Sequence, residues 1–159
     1  MSIDLIVNGI ARHLALDPEM PLLDALRNHL DLKGSRYGCG LEQCGACMVL
    51  VDGEPVYACA RELGTVAGKR VETVEALDSH PLRAAFLEEQ AGQCGYCLNG
   101  IQISAKALLD RTKHPTRAQI VDALDKHLCR CGTQWRIIRA VERAAAAMAA
   151  APRVEGAAL

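Results

Sequence analysis

The chain has 159 residues, enough for one ordinary domain or two small ones that share a modest core. Half of it is hydrophobic but only 3% is aromatic, so the core must be mainly aliphatic; 18 basic and 19 acidic residues leave a net charge of −1. That balance provides no field to draw in nucleic acid or an anionic membrane, and no apolar run approaches the ~20 residues that a bilayer span requires.

Ile3, Leu5 and Val7 alternate with polar neighbours, Asn8-Gly9 is a two-residue hairpin turn, and Ala11 to Leu16 is expected to return as a second strand. This opening has no basic lead, long apolar stretch or small-residue cleavage site, so the expectation is a cytoplasmic chain without an export address of its own. Pro21 opens a helix whose stripe is Leu22, Leu23, Ala25, Leu26 and Leu30, and that helix should pack on the hairpin. Gly34 to Gly45 is a glycine-rich loop with three cysteines in or just after it. Met48 to Val51, the turn Asp52-Gly53 and Pro55 to Cys59 form another hairpin, and Val71 to Val74 supplies a last strand.

From His80 the period changes from two to helical. Helices are expected over Pro81 to Glu89, Leu98 to Arg111, Thr116 (as N-cap) through Leu128, and Gln134 to Ala150. The fold class is therefore α+β, a β-rich domain over residues 1–77 and a small helical bundle over 78–152. Residues 153–159 form a frayed tail without periodicity.

Eight cysteines in a chain without a secretion signal point to metal or redox chemistry. The first four are Cys39-x4-Cys44-x2-Cys47 and, after eleven residues, Cys59, which is the plant-type [2Fe-2S] spacing. A tight loop must then wrap three thiolates around one cluster with its N–H groups turned inward. Gly38, Gly40 and Gly45 permit this through positive φ or close backbone approach. The second four are Cys94-x2-Cys97 at the start of one predicted helix and Cys129-x-Cys131 at the end of another. Helix N-termini favour anions, so Cys94 and Cys97 should have their thiolates stabilised.

Zinc knuckles are the blander reading of the two C-x2-C pairs, but three cysteines in a single glycine-rich loop are unlike paired knuckles. A thioredoxin-like motif needs a βαβ context that is missing, and Cys129 and Cys131 are badly placed to form a disulfide with each other. None of His13, His29, His80, His114 and His127 falls in a ligand slot, which argues against a Rieske centre and leaves them as surface or core residues.

Taken together, Gly38-Cys39-Gly40 with Cys44-Gly45-Ala46-Cys47, Gln93-Cys94-Gly95-Tyr96-Cys97 and Leu128-Cys129-Arg130-Cys131-Gly132 resemble the small iron-sulfur subunit of the xanthine oxidase family of molybdenum hydroxylases. The resemblance covers residues 3 to 148. It implies an N-terminal β-grasp ferredoxin-like domain and a C-terminal four-helix-bundle domain, each holding one [2Fe-2S] cluster on the cysteines above. It implies a large partner subunit that carries molybdopterin, as the cytosine dinucleotide, and performs the substrate chemistry. Electrons would pass from that cofactor to the helical cluster, then to the plant-type cluster, then to a flavin or cytochrome c subunit or domain. Gln93 and Cys131 carry over as contacts to the pterin, while Tyr96 and Arg130 either tune the clusters, face the large subunit or simply pack.

Many members read Cys-Arg-Cys-Thr-Gly-Tyr at the last motif, whereas this chain reads Cys129-Arg130-Cys131-Gly132-Thr133-Gln134. That form resembles the isoquinoline and nicotinate dehydrogenase branch, implying an N-heteroaromatic substrate, placing the usual flavin partner in doubt and allowing export with a signal-bearing partner. The competing functions are a free-standing [2Fe-2S] carrier and the small subunit of an aldehyde- or purine-oxidising enzyme. Near-neutral charge argues mildly against the free carrier.

Overall fold

The computed structural model describes residues 2–150, so the expected tail at 153–159 lies outside the described residues. Both predicted hairpins form where two-residue turns demand positive φ. Asn8 and Gly9 (φ 50° and 79°) join β1, Ile3–Val7, to β2, Ile10–Leu14; Asp52 and Gly53 (50° and 84°) join β3, Met48–Val51, to β4, Glu54–Tyr57. β5, Arg70–Glu72, completes a five-stranded mixed sheet in the order β2-β1-β5-β3-β4, with β1 and β5 parallel. β5 is shorter than expected because Asn8 captures Thr73: Thr73 N donates to Asn8 Oδ1 (2.8 Å) and Asn8 Nδ2 to Thr73 Oγ1 (2.9 Å). The chain then turns into a 3-10 segment over Val74–Leu77.

β3 is buried along its whole length because both its faces are covered. Val49 and Val51 join Leu22, Leu23, Leu26, Leu63 and Val71 on one side. Met48 and Leu50 meet Ile103 and Ala107 on the other. The helix that begins at Pro21 is short: α1, Leu22–Asp24, passes into a π-helical segment over Ala25–His29.

The second half holds α2 (Pro81–Glu88), α3 (Leu98–Arg111), α4 (Arg117–Leu124) and α5 (Gln134–Ala150). α3 is central. Ile103 and Ala107 face the sheet, whereas Ile101, Ala105 and Leu109 face the other helices, so a single helix ties both cores together. α5 buries Ile137, Ala140, Val141, Ala144 and Ala145, a helical-period stripe of mostly small side chains that lets α2 approach closely. Thr116 caps α4 through a reciprocal box with Gln119, as its sequence predicts. α4 ends at Leu124 rather than Leu128, because the next residues leave the helix to meet α3 and the first half: His127 Nε2 lies 2.8 Å from Ser104 Oγ on α3, and Leu128 N donates to Cys44 O. Among the described residues no helix is long and apolar enough to cross a membrane.

Candidate iron-sulfur sites

All eight cysteines are free thiols. In the first half the loop after Arg36 turns its amides inward: the N–H groups of Leu41, Gln43 and Cys44 donate to Cys39 Sγ at 3.3, 3.3 and 3.4 Å, and Cys39 N donates to Cys44 Sγ at 3.4 Å. These amide bonds, those from Leu41 and Gln43 foremost, hold the Cys39 thiol down to about 7. Gly40 and Gly45 take the left-handed backbone (φ 69° and 75°). Gly38 is not among the positive-φ glycines; its role is close approach, since a Cβ there would stand 2.6 Å from Cys44 Sγ. Cys47 sits at the base of β3 beside Cys59, and burial pushes its thiol up to about 12. Tyr57 lies near the same cysteines; burial raises its phenol and the neighbouring charge of Cys47 adds to the effect.

In the second half Cys97 is the N-cap residue of α3. Contrary to the expected stabilised thiolate, burial raises the Cys97 thiol to about 12, and neighbouring Cys129 adds to the rise. Exposed Cys94 does move downward, chiefly through the Tyr96 amide. Cys129 and Cys131 do not end a helix: they precede α5, whose first turn follows at Gln134. Both cysteine pairs thus stand before helix N-termini, a better electrostatic setting for thiolates than the expected meeting of one start and one end. Burial opposes ionisation of Cys129, but the Thr133 hydroxyl, 3.5 Å from Cys129 Sγ, and the Thr133 amide prevail and lower it to about 7.

The thiols meet in twos: Cys39 with Cys44 and Cys47 with Cys59, then Cys94 with Cys131 (Sγ–Sγ 3.4 Å) and Cys97 with Cys129. Among the described residues no three His, Cys, Asp or Glu side chains are grouped to hold a single ion. Two thiol pairs in each half match in number and chemistry what a two-iron cluster would need, and the inward amides of the first loop would supply hydrogen bonds to its sulfurs. The residues therefore fit the group.

The two sites share a border. Cys39 and Cys44 from the first half and Cys94, Cys97 and Cys129 from the second line one cavity of about 240 Å³, together with Tyr96, Leu128 and Arg130. Across it, Leu128 N donates to Cys44 O (3.1 Å), and Asn99 Nδ2 to Ala46 O (2.5 Å). A Cβ at Gly100 would stand 1.9 Å from Gly45 O, and one at Gly45 would strike the ring of His127. His127 is thus a wedge between the halves, missed in the sequence because nothing local distinguishes it from a core histidine. Gln93 is exposed and lines a separate groove with Arg83, Gln102 and Arg136.

Residues 5–73 match the 2Fe-2S iron-sulfur cluster binding domain, and residues 70–142 match a second [2Fe-2S] binding domain. The chain is 49% identical over 148 residues to one of the subunits of nicotinate dehydrogenase from Pseudomonas putida, covering 91% of this chain and 94% of that protein. It is 47% identical over 147 residues to the alpha subunit of isoquinoline 1-oxidoreductase from Brevundimonas diminuta, covering 90% and 97%. Among solved structures, quinoline 2-oxidoreductase from Pseudomonas putida superposes with a TM-score of 0.89 at 33% identity, over 94% of this chain and 96% of that one. The aldehyde oxidoreductase of Desulfovibrio desulfuricans gives 0.90 at 41%, but this chain spans only 17% of that larger polypeptide.

Proposed function

Since this chain belongs to the small [2Fe-2S] iron-sulfur subunits of the xanthine oxidase family of molybdenum hydroxylases, we propose that it relays electrons through one cluster on Cys39, Cys44, Cys47 and Cys59 and another on Cys94, Cys97, Cys129 and Cys131. The observation that carries this reading is the twofold pairing of thiols in each half, joined by the Leu128 to Cys44 hydrogen bond. Bound clusters supply one-electron storage at potentials that hydrogen bonds and solvent exposure tune. The chain's own part is to hold the thiols, turn the amides of Leu41, Gln43 and Cys44 toward them, and keep the two sites in contact across one cavity.

The finer reading assigns residues 1–77 to a β-grasp domain and 78–152 to a four-helix bundle, an arrangement supported by the strand order and by the four helices from Pro81 onward. Substrate chemistry belongs to a large subunit bearing molybdopterin cytosine dinucleotide. Gln93 and Cys131 face that cofactor, the helical site receives its electrons, and the plant-type site passes them to a flavin or a cytochrome. Among the described residues, five of the nine large apolar side chains that remain exposed, Tyr37, Leu41, Tyr96, Leu128 and Trp135, lie on or beside the cysteine segments, as a surface awaiting a partner would have them. Relatives named for nicotinate and isoquinoline favour an N-heteroaromatic substrate. The complex is assigned to the cytoplasm.

Metal and sulfide analysis of the native complex, with EPR after dithionite reduction, tests the reading. About four irons and four sulfides per chain, two [2Fe-2S] signals and co-purifying molybdenum are expected. Iron without molybdenum would favour a free carrier, and zinc without iron would refute both.

A further inference from the structure

We infer that Arg36 and Tyr96 clamp the Cys94–Cys97 loop against the Cys39–Cys44 loop and so fix the separation and relative orientation of the two iron-sulfur sites, an inference that rests on the two-cluster reading. Neither residue is a candidate ligand. Arg36 is anchored by its own backbone, whose N–H donates to Ala46 O at 2.9 Å, one residue before Cys47. Its side chain then crosses to the other half, where Nη1 donates to Gly95 O and the guanidinium lies 5.5 Å from the centre of the Tyr96 ring. The Tyr96 hydroxyl crosses in the opposite direction and donates to Tyr37 O.

Each loop therefore donates one bond to a backbone carbonyl of the other, and both bonds sit within three residues of a candidate ligand. Gly95 at φ 77° allows its carbonyl to present itself to Arg36. Tyr37 is held in turn: its hydroxyl lies against Gly40, where a Cβ would stand 2.3 Å away.

Elsewhere along this border the halves are joined by Leu128 N to Cys44 O and by Asn99 Nδ2 to Ala46 O. Neither of those bonds touches residues 94–97. The bonds at Arg36 and Tyr96, made by one charged donor and one hydroxyl, hold that loop itself. Electron passage between two fixed centres depends steeply on their geometry, so Arg36 and Tyr96 are positioning residues for the relay.

The test uses the intact complex with Arg36→Gln, Tyr96→Phe and the double variant. Iron and sulfide content are measured first, then the magnetic splitting between the two reduced clusters by EPR, then the rate of electron passage between them. The double variant should keep about four irons and four sulfides per chain, lose or broaden the splitting, and pass electrons at least about tenfold more slowly. Tyr96→Phe, which keeps the ring under Arg36, should give a smaller change of the same kind, and it decides the matter alone if the double variant fails to assemble. Splitting and rate unchanged in assembled variants would overturn the clamp. A parent complex without two clusters would instead overturn the reading beneath it.

Discussion

Leu128 donates its backbone N–H to the carbonyl of Cys44 across 3.1 Å, so two chain segments that carry cysteines of different sites are hydrogen-bonded to each other. The approach is possible because the surfaces on either side are bare of Cβ atoms. Gly100 on α3 faces Gly45 O, and Gly45 faces the ring of His127. The junction adds to the packing of α3 on the sheet, where Met48 and Leu50 meet Ile103 and Ala107, in holding the two sites together.

Gly100→Ala should damage that junction. Its Cβ would stand 1.9 Å from a backbone oxygen, and backbone cannot swing aside as a side chain does. Overpacking of this kind costs about 3 kcal/mol, and the melting temperature should fall by several degrees or more. Gly92→Ala is the control: its Cβ would meet Leu98 first, at Cδ1, the far end of a flexible side chain, and the melt should barely move. Equal melting of both variants would refute the close approach.

Local signals were legible throughout. Asn8-Gly9 and Asp52-Gly53 gave both hairpins, Thr116 gave a cap, and α3 and α5 begin and end where their periodicity does. The π-helical turn after Asp24 has no local signal in the sequence, and the early end of α4 and the wedge at His127 were not legible because each answers to a contact many residues away. The placement of Cys129 and Cys131 before α5 follows from the same cause. Once residues 127 and 128 are drawn to Ser104 and Cys44, the helix cannot reach the cysteines.

Cys44→Ser should remove the first cluster and leave the second. Cys44 meets Cys39, whereas Cys94, Cys97, Cys129 and Cys131 meet only one another. A purified variant with about two irons per chain and one surviving EPR signal is expected. Loss of both signals together would show that the sites do not assemble independently.

His80 gives the protein a pH dependence unrelated to iron. It caps α2 by accepting the Leu82 N–H at Nδ1 (3.2 Å), which requires a neutral ring with its proton on buried Nε2. Burial lowers its pKa, Lys106 adds to this and Asp110 opposes it. The unfolded chain, with its histidine near 6.5, then binds more protons than the folded one. Stability is full above that value and declines as pH falls toward the lower folded one. Loss of a cap costs about 1 kcal/mol. Denaturant melts between neutral and mildly acidic pH should show the decline, and His80→Asn, which keeps an acceptor that does not titrate, should lessen it, leaving the share of His127, whose pKa burial lowers to about 4.

Glu89 ties the end of α2 to α5 with a side chain only 7% exposed. Its Oε1 accepts Arg143 Nε and Nη2 at 2.9 and 2.8 Å, and its Oε2 accepts Arg139 Nη2 at 2.8 Å. Removing a single partner from a fully buried pair costs several kcal/mol, but both arginines here are about half exposed, so solvent screens part of the loss. Glu89→Gln should cost about 1–2 kcal/mol, because the amide is neutral and turns a donor toward one of the two guanidinium groups. Added salt should narrow the gap between parent and variant, since it weakens only the parent's pairing. A gap that salt leaves unchanged would mean that shape rather than charge holds α2 to α5, through the alanine stripe at Ala140, Ala144 and Ala145.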